Sequence, residues 1–194
     1  MKKKHKLNKQ QIIEKYDASA GHIRRLIAYG IDWYITSLLV MAPVAFLYSI
    51  EMNEKALVID ISLLSIKSAC LAFVIGLILC IWYLVYLPLK NGQTLGKKIT
   101  SIKIVKMNGS TVDFLTLVKR EVIGVLVIEG VMFTCSTYFH QLLVMIFNLT
   151  YSNYIAYFFT IILIVSILLA VIKPEKRMVH DYIANTKVIS ISNS

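Results

Sequence analysis

Residues 130–172 form a run of 43 positions without a single Asp, Glu, Lys or Arg. A membrane-crossing helix needs about 20 mostly apolar residues, because the hydrocarbon core is about 30 Å thick and a helix rises about 1.5 Å per residue. The run is too long for one crossing. Asn148, Thr150, Ser152 and Asn153 interrupt it with a cluster of turn-forming residues, which predicts two helices joined by a short loop. Residues 33–50 and 68–89 are also free of charge. The sequence therefore predicts four transmembrane helices, at about 31–50, 68–88, 126–147 and 154–172. Composition agrees: 57% of the chain is hydrophobic and 16% charged, against about 45–50% and 25% in soluble domains. These figures exclude a disordered tail, a disulfide scaffold and an ordinary soluble enzyme domain.

The first apolar run follows about 30 mostly polar residues and has no small-residue cleavage site near Ser49, so it is expected to stay as an anchor. The net charge of +10 is explained by how the cations are sorted. Residues 1–30 hold eight Lys and Arg, 51–67 two, 89–121 seven, 148–153 none and 173–194 four. Four spans would put nineteen on one face and two on the other. The positive-inside rule then places both termini and the middle loop in the cytoplasm, against anionic headgroups. No nucleic-acid-binding module accompanies the lysines, so no nucleic-acid partner is expected.

Between the second and third spans the pattern changes. Residues 98–106 are rich in β-branched residues and lead into Asn108-Gly109, a hairpin signal. Residues 186–192 have the same character. Together they predict a small cytoplasmic β-element. Asp113 is a candidate N-cap for an interfacial helix through Phe114, Leu117, Val118 and Glu121. The fold class expected is thus an all-α integral membrane protein with four spans, a small β-element and an interfacial helix. Its parts would be a basic tail at 1–22, one membrane domain at 23–190 and a short C-terminal tail at 191–194.

Three segments carry a resemblance. Arg25-Leu-Ile-Ala-Tyr-Gly-Ile-Asp32 resembles the opening motif of RDD-family membrane proteins, named for one arginine and two aspartates. Asn91-Gly-Gln-Thr-Leu-Gly-Lys97 and the strand after it resemble the family's G-Q-T-x-G-K segment. Arg177-Met-Val-His-Asp181, running on to Thr186 and Val188, resembles the closing motif. Arg120 stands where many members have an arginine before the third span. Asn185 stands where glycine is common; Asn tolerates left-handed backbone better than most residues. The resemblance implies a multi-pass bacterial cell-membrane protein, with ion or proton-coupled transport proposed for some members.

The candidate site residues are Arg25, Asp32, Arg120, Glu129, His180 and Asp181, with the motif positions Gly92, Gln93, Thr94, Gly96, Lys97 and Thr186. Two readings stand. In one, Arg25, Asp32 and Asp181 form a clasp at the membrane edge that ties the tail to the first span. In the other, the carboxylates are Na⁺ or H⁺ sites at a cytoplasmic vestibule. A third span at 126–147 would put Glu129 in the inner leaflet, at the level of the others, protonated between helices or acting as a relay. His180-Asp181 has no further metal ligands at suitable spacing. Cys70, Cys80 and Cys135 form no C-x-x-C and are expected to pack helices. Gly92 to Gly96 is one residue short of a phosphate loop and precedes a strand. Gly76 and Cys80 suit close helix contact. The functional expectation is a non-enzymatic membrane protein that packs or scaffolds, without cofactor or metal. The alternative is a cation- or proton-coupled transporter using the inner-leaflet carboxylates. A homo-oligomer is compatible with either.

Overall fold

The computed structural model describes residues 20–54, 60–128, 134–148, 153–173 and 175–191. The chain is mostly helical. Helix α1 spans His22–Met52 and α2 spans Ile66–Asn91. After a short helix, α3 (Leu95–Ile99), comes strand β1 (Ile102–Lys106). Helix α4 (Phe114–Leu117) continues as a π-helical stretch, Val118–Ile128. Then follow α5 (Thr134–Phe147), α6 (Asn153–Ile172), the short α7 (Val179–Ile183) and β2 (Thr186–Ser190).

Two helices, α1 and α2, are long and apolar enough to cross a membrane. Only 22% of the most apolar window of α1 and 39% of that of α2 is buried within the protein, whereas the core helix of a soluble protein would be mostly covered. Ile27, Leu38, Phe46, Leu71 and Ile78 point outward, as lipid-facing residues do. Helix α6 is 20 residues long and carries no charge. The expected third span, 126–147, coincides with the end of the π-helical stretch and with α5, but its residues 129–133, and so Glu129, lie outside the described residues.

The helices meet where side chains are small. Gly76 lies so close to α1 that a β-carbon there would sit 3.2 Å from the Cα of Val40, and Cys80 is fully buried one turn further on. Cys80 also touches Cys135 of α5; both thiols are free and fill the core, as expected. Proline shapes the end of α2. Pro88 has no N–H and its ring crowds the carbonyl four residues back, and the helix just before it widens at Trp82–Tyr86, with Leu87 N bonding the Trp82 carbonyl at 3.1 Å.

The β-element forms from the two expected segments, with different boundaries. Lys98 belongs to α3, because Thr94 caps that helix by accepting from Lys97 N. The Asn108-Gly109 turn is made, with Gly109 at φ +81°, yet no strand returns from it. Asp113 comes too soon and caps α4 through Thr116 N at 2.9 Å. β1 instead pairs antiparallel with β2, Ile104 opposite Val188. A lone pair of strands is marginal in water. This one packs Ile102, Ile104 and Val188 against Val85 and Leu117, which joins the tail to the body.

Candidate functional site

The charged side chains gather in two clusters on either side of one cavity. In the first, Asp32 on α1 is 3% exposed and accepts four hydrogen bonds. Tyr83 Oη donates to Oδ1 at 2.6 Å and Gly96 N at 3.0 Å; Thr94 Oγ1 donates to Oδ2 at 2.5 Å and Lys97 Nζ at 3.1 Å. The loop from Asn91 to Lys97 is built for this approach. Gly92 turns the chain at φ +69° and its carbonyl accepts from Ile104 N at 2.8 Å. Gln93 Nε2 donates to the Ile102 carbonyl at 2.8 Å. At Gly96 a β-carbon would collide with the Ala28 carbonyl and lie 2.7 Å from Asp32 Oδ1, so only glycine lets the backbone N–H reach the carboxylate.

In the second cluster Asp181, 1% exposed, is the hub. Arg120 Nε and Nη2 each lie 3.2 Å from its Oδ1, as does Thr186 Oγ1. Met178 N donates to Oδ2 at 3.3 Å, and Arg25 Nη1 stands 3.9 Å away. Arg120 also pairs with Glu121, and its Nη2 lies 2.9 Å from His180 Nε2. A guanidinium has no lone pair to offer, so that contact makes Nε2 the acceptor. His180 packs on Gly124, where a β-carbon would be 2.5 Å from the His180 Cβ. Arg25 reaches across from α1 to donate to the carbonyls of Lys176 and, at 3.2 Å, Val188. Arg177 ties the tail to itself, through the Thr186 and Asp181 carbonyls at 3.0 Å each, with its guanidinium 4.1 Å over the Tyr182 ring.

Burial alone would raise the Asp181 carboxyl, but the Arg120 and Arg25 guanidiniums outweigh it and hold the pKa down to about 2. A carboxyl depressed in the folded state stabilises fully above its unfolded value near 4 and loses that stabilisation as pH falls through the folded value. In detergent, stability is therefore expected to be flat above about pH 5 and to fall by about 2 kcal/mol between roughly pH 5 and 1. Unfolding midpoints measured across that range check this; a decline centred on pH 6–7 would point to a histidine instead.

Of the predicted residues, Arg25, Arg120, His180, Asp181 and Thr186 come together, and Asp32 joins Thr94, Gly96 and Lys97. Arg25 and Asp32 do not pair, so the single clasp expected of Arg25, Asp32 and Asp181 is divided in two. Three participants escaped the sequence reading. Glu121 was read only as a helix residue, although it adjoins Arg120. Arg177 opens the closing motif but was given no role. Tyr83 has no place in any of the motifs, although a buried tyrosine hydroxyl calls for a partner. Among the described residues no group of three or more His, Cys, Asp or Glu could hold a metal ion.

The family model for the RDD family matches residues 19–185. The chain belongs to the RDD family. No curated protein and no solved structure matches it. The match begins just ahead of Arg25 and ends just past Asp181, so the charged side chains of both clusters in this RDD protein lie inside it, with Thr186 one residue beyond.

Proposed function

We propose that this RDD protein is a non-enzymatic, four-span protein of the bacterial cell membrane that packs or scaffolds within the bilayer. Both termini and the middle loop face the cytoplasm, and α1, α2, α5 with the segment before it, and α6 cross. The two ion clusters lock the cytoplasmic ends of the helices to the β1–β2 sheet. The observation that carries this reading is saturation: Asp32 and Asp181 are buried and each already holds three or more protein donors. A translocating cation needs acceptor oxygens it can reach and leave, and these two carboxylates are committed to arginine, lysine, hydroxyl and backbone N–H groups. Cation or proton coupling, the competing reading, would have to break a cluster at each cycle.

Two measurements test it. Purified protein in liposomes under imposed Na⁺ and pH gradients is expected to give dye traces equal to those of empty liposomes. Coupled flux that disappears in Asp32→Asn would establish transport and overturn the scaffold reading. For topology, single cysteines at Asn108 and Asn53, with Cys70, Cys80 and Cys135 replaced by alanine, are expected to label from opposite sides. Labelling from the same side removes the four-span arrangement.

A further inference from the structure

Between the two clusters lies a half-enclosed cavity of about 380 Å³, reached by Lys97 and Asp32 from one side and by Arg25, Arg120, Glu121 and Asp181 from the other. Leu26 of α1, Leu84 of α2, Val125, and Leu163 and Ile167 of α6 form its apolar walls. At about 30 Å³ per water it has room for about a dozen waters, within the range of ligand sites. Formal charge in the lining is balanced, three cations against three acids, so charge alone selects nothing. The hydrogen-bonding inventory does.

Both oxygens of Asp32 and Oδ1 of Asp181 are fully engaged, as described above, and Asp181 Oδ2 holds the Met178 N–H and faces Arg25. The cations have not spent their N–H groups. Arg25 Nε is buried without a partner. Lys97 Nζ carries three N–H groups and directs two of them, to Asp32 and Thr94. A buried donor left without an acceptor is costly, so on this side the cavity is short of acceptors. Glu121 contributes a modest counterpart, having given one oxygen to Arg120. The missing group should therefore carry anionic oxygens for Arg25 and Lys97, with a hydroxyl for Glu121. It should also carry apolar chain to lie against Leu163 and Ile167, one turn apart on α6.

The geometry points to a binding site for one anionic phospholipid, its phosphate at Arg25 and Lys97 and its acyl chain along α6. This rests on the membrane placement proposed above, in which the cavity lies at the inner leaflet, but not on the absence of transport. The lipid would act as a structural ligand, supplying acceptors that the folded chain lacks.

The test uses the full chain, purified and delipidated in a neutral detergent, with thermal unfolding followed as lipid is added. Phosphatidylglycerol at about a hundredfold over its Kd is expected to raise the midpoint by about 5–10 °C. Phosphatidylcholine and inorganic phosphate are expected to leave it within a degree or two. Leu163→Trp fills the apolar part of the cavity and should remove the shift while the lipid-free midpoint stays close to wild type; Ala170→Leu serves if that variant does not fold. No shift with phosphatidylglycerol overturns the site. An equal shift with phosphatidylcholine overturns the anionic recognition, and one with phosphate alone overturns the lipid. A full shift retained in the filled variant moves the binding elsewhere and overturns the cavity assignment. None of these outcomes depends on flux, so the lipid site and the scaffold reading can fail separately.

Discussion

Asp181→Ala is expected to destabilise the folded protein by about 3–5 kcal/mol, the range found when one partner of a buried ion pair is removed. Asp181 neutralises more than one cation. Its loss leaves the buried Arg120 with Glu121 and the His180 ring nitrogen, one carboxylate short, and withdraws a carboxylate from Arg25. It also frees Thr186 Oγ1 and Met178 N, which loosens β2 and the N-terminus of α7 together. The effect should therefore reach the sheet and not stay local. Unfolding in mixed micelles with rising SDS fraction, followed by tryptophan fluorescence, would measure it. An exposed pair supplies the contrast. Lys106 and Asp113 meet at 2.9 Å with side chains 31% and 58% exposed, and Lys106→Ala should move the midpoint far less, because solvent screens an exposed pair. Equal midpoints for Asp181→Ala and Lys106→Ala would mean that the buried cluster does not hold the tail.

The contrast between the two clusters also marks what could be read from the sequence. Absence of charge located two helices closely: the second apolar run is expected at 68–88 and the helix runs Ile66–Asn91, the fourth at 154–172 against Asn153–Ile172; the first is expected at 31–50, but its helix begins at His22. A long charge-free run shows in composition directly, so it is legible without knowledge of the neighbours. Pairing is a different kind of information. The spacing of Arg25 and Asp32 correctly puts them on one helix face, but helical spacing cannot say which distant segment docks there. For Asp32 it is the Thr94–Lys97 loop, about 60 residues on; for Arg25 it is the tail, more than 150 residues on. The β-element shows the same limit. Local propensity locates β1, β2 and the Asn108-Gly109 turn, but the hairpin that the turn signals does not form. The partner, β2, was visible only as a second segment of like composition. Arg120 and Thr186 were marked by resemblance alone, and Glu121 and Tyr83 carried no signal short of asking what their buried polar atoms would bond.

The first cluster gives the second large expected effect, and a way to apportion it. Asp32→Ala should cost about 3–5 kcal/mol, by the same logic of stranding a buried charge, here the Lys97 ammonium at 3.1 Å. Asp32→Asn is not expected to rescue it. Asn keeps the shape, but its amide nitrogen offers two donors into a ring already made of donors from Tyr83, Thr94, Gly96 and Lys97. The question is which donor matters most. In a cycle of Asp32→Ala, Lys97→Ala and the double variant, groups in direct contact are expected to couple by about 0.5–3 kcal/mol. Coupling at the upper end makes the charge pair the lock between α1 and the loop. Coupling near zero assigns the lock to the neutral donors and to the close approach at Gly96. In that event Gly96→Ala, whose methyl meets the Ala28 carbonyl and the Asp32 carboxylate, should unfold the protein as readily as the loss of Asp32 itself.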